Sequence, residues 1–126
     1  FTQSVTNVGT TDGETLTGTI ENDIIFAGEG DDTINGTSGE DRLSGGNGAD
    51  VFIFSRDDGT SIITDFSTMD GDQVDVSKFG FANWAELQPH LAATIGNNTQ
   101  LTLDTDTFVY FEDIVYDELS ETDFII

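Results

Sequence analysis

The chain contains no cysteine, one proline (Pro89) and one histidine (His90), and among its 126 residues only Arg42, Arg56 and Lys78 are basic. Without cysteine there is neither a disulfide framework nor a zinc-thiolate site. A lone histidine excludes a three-histidine metal centre and the H-E-x-x-H zinc motif. A catalytic triad would need His90 beside a serine such as Ser77 and an aspartate such as Asp75, yet no G-x-S-x-G nucleophile elbow is present; His90 reads as a helix-surface residue. No apolar run is long enough to span a bilayer. The basic side chains face 25 acidic ones, a formal net charge of −22. That balance argues against nucleic acid or an anionic membrane as a direct partner. It also implies strong self-repulsion unless counter-ions are bound.

What the chain does have is a repeat. Read nine residues at a time from Gly9 to Ile53 it gives GTTDGETLT, GTIENDIIF, AGEGDDTIN, GTSGEDRLS and GGNGADVFI without an insertion. The sixth position reads Glu14, Asp23, Asp32, Asp41, Asp50, and the eighth reads Leu16, Ile25, Ile34, Leu43, Phe52. A flexible Gly/Asp linker would share this composition, but nothing in a linker holds an apolar residue in register with an acid five times running. Self-similarity at a fixed short period fixes the architecture before propensities are consulted.

The repeat resembles the G-G-x-G-x-D-x-U-x nonapeptide of RTX (repeats-in-toxin) proteins, a calcium-binding consensus. The fifth repeat fits at every position; the third departs only at Ala27 and the fourth at Thr37, while the first two carry Asp12 and Glu21 where the fourth-position glycine stands. The resemblance implies an all-β fold, a right-handed parallel β-roll (β-helix) in which each nonapeptide is a glycine-rich turn and a short strand. Two nonapeptides complete one coil, so turns 18 residues apart stack about 4.8 Å from each other. It further implies Asp32 and Asp50 as carboxylate ligands of one Ca2+, with backbone carbonyls around Gly28, Gly30, Gly46 and Gly48. Asp23 and Asp41, with the turn glycines Gly36 and Gly39, are implied for a second ion on the opposite edge. A third ion between the Glu14 and Asp32 turns is less well founded, because Asp12 and Gly13 break the pattern there. Calcium takes six to eight oxygens at about 2.3 to 2.6 Å, and glycine turns bring carbonyls inward. One inward apolar residue per nonapeptide is a thin core, so the roll is expected to depend on its metal.

Residues 1–8 read as a linker or entering strand, 9–53 as the roll and 54–126 as a capping region with a secretion signal at its end. At Val51-Phe52-Ile53-Phe54 the apolar residues become continuous, as though a strand were buried on both faces. Short strands are expected at 62–66 and 74–77, with Asp65, Asp70, Asp72 and Asp75 read as surface turn acids more readily than as ligands of another ion. Their spacing does not fit an EF-hand loop. Asn83-Trp84-Ala85-Glu86 reads as a capped start of one short helix reaching about Ala93 and interrupted at Pro89, with Trp84, Leu87 and Leu91 in the core. A hairpin is expected from 99–103 to 108–111, and a last strand at Ile114-Val115-Tyr116. GADVFIF, ITDF and DQVDVSKFGF resemble the segment that closes the roll in RTX proteases, lipases and polysaccharide-modifying enzymes.

The expectation is a non-catalytic, monomeric calcium-binding module of a larger secreted protein, unfolded during type I export and folded by extracellular calcium. So acidic a chain has the residue types for a glycoside-hydrolysing carboxylate pair, and what tells against one is that the best-placed acids are assigned to calcium. Phe1 in place of Met suggests a fragment of a longer chain, and Asp123-Phe124-Ile125-Ile126 resembles the termini of type I substrates. Two alternatives stay open: a carbohydrate-binding module, for which a polysaccharide anion would have to be bridged by calcium, and the terminal domain of an adhesin.

Overall fold

A computed structural model describes the backbone of residues 4–126 and the side chains of 7–126. Alternate strands of the repeat region enter alternate sheets, as a chain coiling at 18 residues per turn requires. The first sheet holds β1 (Ser4–Val8), β3 (Asp23–Phe26), β5 (Glu40–Ser44) and β7 (Gly59–Ile63), paired parallel in that order. The second holds β2 (Thr15–Thr17), β4 (Thr33–Asn35), β6 (Val51–Ile53) and β8 (Gln73–Asp75), also parallel. The fold is a parallel β-solenoid of about three turns with one short helix.

The eighth-position side chains stack as two columns between the sheets. Leu16, Ile34 and Phe52 pair in sequence on one side and continue to Val74; Ile25 and Leu43 pair on the other and continue to Ile63. All seven are buried. Alternation persists to the end of the last repeat, since Val51 and Ile53 are half-exposed while Phe52 and Phe54 are buried. The expectation of a strand buried on both faces is therefore corrected: the outer face of β6 is only partly buried.

Beyond the repeats the step per coil lengthens. Phe52 pairs with Val74, 22 residues on, and Leu43 with Ile63, 20 residues on. The cap then grows from the C-terminal end of each sheet. Parallel to β7 lies β11 (Thr107–Phe111), whose hairpin partner is β10 (Asn98–Asp104), followed by antiparallel β9 (Leu91–Thr94). Parallel to β8 lies β12 (Phe124–Ile125).

Helix α1 (Trp84–Leu87) starts where the sequence places it, with Asn83 Oδ1 accepting the Glu86 N–H at 3.1 Å and Glu86 Oε2 accepting the Ala82 N–H at 2.8 Å. It is shorter than expected. A 3-10 turn over Gln88–His90 follows, and Leu91–Thr94 is strand. Proline lacks the N–H an α-helix needs and is tolerated in a first turn, so Pro89 ends α1 and opens a new turn. Residues 114–116 are likewise not a strand; the chain turns at Glu112 and Asp113 and enters a 3-10 turn at Tyr116–Glu118. Asp113 sits at φ 59°, a left-handed conformation that stops the ladder after β11.

A chain of ring contacts joins roll to cap: Phe52 to Phe66 (6.1 Å), Phe66 to Phe111 (5.2 Å), Phe111 to Phe124 (6.3 Å) and Phe124 to Trp84 (5.5 Å). His90 is exposed, with Nδ1 2.8 Å from the Thr102 carbonyl oxygen and its ring edge-on to Phe81.

Candidate metal centre

The sixth-position acids form two ladders along the edges of the roll. On the first edge the Glu14 N–H donates to Asp32 Oδ1 (2.8 Å), the Asp32 N–H to Asp50 Oδ1 (2.9 Å) and the Asp50 N–H to Asp72 Oδ1 (2.9 Å). On the second edge the Asp23 N–H donates to Asp41 Oδ1 at 2.9 Å. Asp32, Asp41, Asp50 and Asp72 thus each spend one oxygen on the coil beneath. The other oxygen is where the rungs differ: Oδ2 of Asp32, Asp41 and Asp50 is buried and has no hydrogen-bond partner.

A buried carboxylate oxygen without a donor is costly and calls for a cation or a proton. Burial accordingly pushes the Asp41 and Asp50 carboxyls up to about 7, and raises that of Asp32. Neighbouring acids add to each shift, while the N–H from the coil beneath opposes it. These groups are chemically suited to a hard divalent cation, which restores the charged form by supplying its own charge.

The glycines serve close approach. A Cβ on Gly45 would overlap Asp50 Oδ2, and one on Gly46 would overlap the Gly28 carbonyl oxygen of the next coil. The turns stack directly, Glu29 bridging Asn47 and the Asn47 N–H donating to the Gly28 carbonyl at 3.1 Å. Gly30 lies under Gly48 on that edge; Gly39 lies between Glu21 and Gly59 on the other, and Gly36 is packed against Asp41. Among the described residues no three acid or histidine side chains converge on one point. A calcium shell here must draw on these carbonyls as well as on carboxylates.

The remaining sequence candidates sit as follows. Glu14 Oε1 accepts the Thr10 N–H at 2.5 Å. Asp12 is exposed, its N–H donating to Thr10 Oγ1. Asp65 bridges to the last repeat turn, accepting the N–H groups of Gly45 (2.9 Å) and Gly46 (2.8 Å). Asp75 accepts the Ser77 N–H at 2.9 Å and stands three residues past the ladder.

Asp72 is not the surface acid the sequence suggests. It is buried, is the top rung of the first ladder, and its Oδ2 accepts the Ser67 N–H at 2.8 Å. Burial pushes its carboxyl up to about 6. Its signal was present: Asp72 and Val74 repeat the acid-x-apolar spacing of Asp50 and Phe52, displaced by 22 residues and not 18. Asp58 is also buried near the second ladder, its Oδ2 accepting the Ser55 N–H at 2.7 Å. Burial raises it, opposed by that N–H and by Lys78. On that edge Ser61 pairs with Asp41, so no period points to Asp58.

Stacked carboxylates and glycine turns on the edges of a parallel roll define a metal-binding β-solenoid. Residues 8–41 and 28–60 match the RTX calcium-binding nonapeptide repeat (four copies), and the roll belongs to that family. No curated protein sequence matches the chain. Two solved structures from the Azotobacter vinelandii mannuronan C5-epimerase are similar over nearly the whole length. Its AlgE6R3 subunit is 26% identical (TM-score 0.63, 93% of this chain, 80% of that one), and its AlgE6R2 subunit 27% identical (0.63, 96% and 92%). The extracellular lipase LipA of Serratia marcescens shares the fold at 18% identity, with TM-score 0.59 over 94% of this chain and 20% of the lipase.

Proposed function

We propose that the chain is a non-catalytic module whose folding is switched by calcium, carried by a larger protein exported through a type I system. The observation that supports this reading is the three buried carboxylate oxygens without a donor, all inside the nonapeptide repeats. Asp32 and Asp50 are the proposed carboxylate ligands of one ion, and Asp41, stacked above Asp23, of a second. Where free calcium is scarce, 25 acids against three bases repel one another and the buried rungs lack a counter-charge. At extracellular calcium of about 10⁻⁴ to 10⁻³ M such sites fill, and binding to the folded state alone drives folding.

Export information in the last residues is compatible with their folded role as strand β12, because a secretion signal is read while the chain is unfolded. Far-ultraviolet circular dichroism tests the switch: strand signal is expected to be lost in chelator, to return with calcium and not with magnesium, which demands tighter octahedral geometry. An unchanged spectrum in chelator overturns the reading.

A second reading, a polysaccharide-binding module, draws on the likeness to subunits of an epimerase that acts on mannuronan. Two of the three bases are already engaged, Arg42 with Glu112 at 3.2 Å and Arg56 with Asp104 at 4.0 Å. An acidic glycan would therefore depend on bridging calcium, and binding abolished by chelator distinguishes that mode.

A further inference from the structure

The five turns fall into two kinds according to the backbone at their second position. Gly28, Thr37 and Gly46 have φ of 98°, 66° and 82°. Four residues after each stands an acid, Asp32, Asp41 or Asp50, whose Oδ2 has no donor. Thr10 and Thr19 are outside the positive-φ region, and their N–H groups close onto the acid of their own turn. Thr10 N donates to Glu14 Oε1 at 2.5 Å, and Thr19 N to Asp23 Oδ2 at 2.6 Å. Thr19 Oγ1 adds a bond to Asp23 Oδ1 at 3.0 Å. Both threonines build the same local turn, the hydroxyl accepting the N–H two residues on, from Asp12 at 3.3 Å and Glu21 at 3.1 Å.

Inverting φ redirects the amide, and the open turns show where it goes. The Thr37 N–H donates to Asn35 Oδ1 and the Gly46 N–H to Asp65 Oδ2, neither to its own acid. Composition alone does not make the split, because threonine occurs in both kinds. Thr37 adopts a left-handed conformation that a β-branched residue rarely takes, and with it Asp41 keeps a bare oxygen. Strained backbone of this sort persists where the surroundings impose it, commonly at ligand sites.

We infer that the roll takes calcium against Asp32, Asp41 and Asp50 only, and that its first coil is closed without metal by the amides of Thr10 and Thr19. The inference rests on the calcium reading above and narrows it. Glu14 and Asp23 then act as hydrogen-bonded end rungs. The N-terminal coil is a metal-free lid on the stack, and the second-position φ of a turn becomes the mark that separates ligating repeats from closing ones.

Native mass spectrometry of the full chain in calcium, with the calcium midpoint of the strand signal, tests this on Glu14→Gln, Asp23→Asn, Asp41→Asn and Asp50→Asn. The first two are expected to keep the wild-type ion count with midpoints within about twofold, since a side-chain amide oxygen still accepts the threonine N–H. The last two are expected to lose an ion and to raise the midpoint about tenfold or more, because site affinity follows ligand charge. Loss of an ion in Glu14→Gln or Asp23→Asn overturns the inference and leaves the calcium reading standing; a full count in Asp41→Asn and Asp50→Asn overturns the inference together with the ligand assignment above. A wild-type chain that binds no calcium overturns both. If Asp23→Asn does not fold at saturating calcium, Glu14→Gln alone decides.

Discussion

Roll and cap bury similar strands with opposite means. In the roll each coil contributes two apolar side chains, and beside Ile25, Ile34, Leu43 and Phe52 stands a buried acid that water would otherwise hold. In the cap most buried positions are apolar, among them Phe79, Leu87, Leu101, Leu103, Val109, Phe111 and Phe124, and the Phe111 ring contacts those of Phe66 and Phe124. The difference separates what holds each part: the cap is closed by apolar area, while the roll is a backbone ladder whose charge must be balanced from outside.

That contrast can be broken in graded steps. Phe111→Ala removes the ring between Phe66 and Phe124 and is expected to cost about 3 to 5 kcal/mol at saturating calcium, with the ion count unchanged. Chemical denaturation read together with mass spectrometry checks both halves of the claim, and a lost ion would mean that roll and cap are not separable in this way. Asp72→Ala strips the acceptor from the Asp50 and Ser67 N–H groups at the junction. A loss of about 2 kcal/mol is expected, as for a buried donor left unpaired.

Acidity acts on the roll alone. The folded, metal-free chain holds more protons than the unfolded one between the ordinary carboxylate range and about pH 7, where Asp41 and Asp50 sit. Its stability is therefore present at low pH and lost as pH rises through that window. With calcium the sign reverses, because protons and ions compete for the same oxygens. Calcium-bound carboxylates are charged and the unfolded ones take up protons only in their ordinary range, so lowering the pH from about 7 to about 3.5 is expected to raise the calcium midpoint several-fold or more; a midpoint that does not move would remove Asp41 and Asp50 from the site. The smallest effect is expected for Arg42→Ala, which breaks the ion pair to Glu112 across roll and cap. Its side chains are 40% exposed, so no more than about 0.5 to 1 kcal/mol should be lost by thermal unfolding.

The roll was legible because its period is carried by residues with one job each: the acid at position six and the apolar residue at position eight recur together and land where the register puts them. The same reasoning failed where the period changes. Asp72 keeps the local spacing to Val74 but arrives after a 22-residue step, and Asp58 reaches the second ladder from a turn, with Ser61 in the strand position. Thr19 and Thr37 stand at the same repeat position and differ in φ, and the difference follows the fourth position of the turn, where Gly39 has φ of 111° and Glu21 is outside the positive-φ region. In the cap, Ile114-Val115-Tyr116 has the composition of a strand, yet the left-handed Asp113 turns the chain away first. Tertiary context overrides propensity most easily in such short segments.

The stacking order also settles how the molecule would answer to tension. β1 is the outermost strand at the N-terminal end of one sheet, and β12 the outermost strand at the opposite end of the other, with β2, β4, β6 and β8 spanning the distance between. Those five stacked strands give a column about 19 Å deep at the interstrand spacing. A pull on the two ends runs along that column, across the strands, so it loads the interstrand bonds one row at a time and does not shear a whole strand at once. The solenoid is expected to peel coil by coil at low force, and the rows proposed to hold calcium give up an ion as they open.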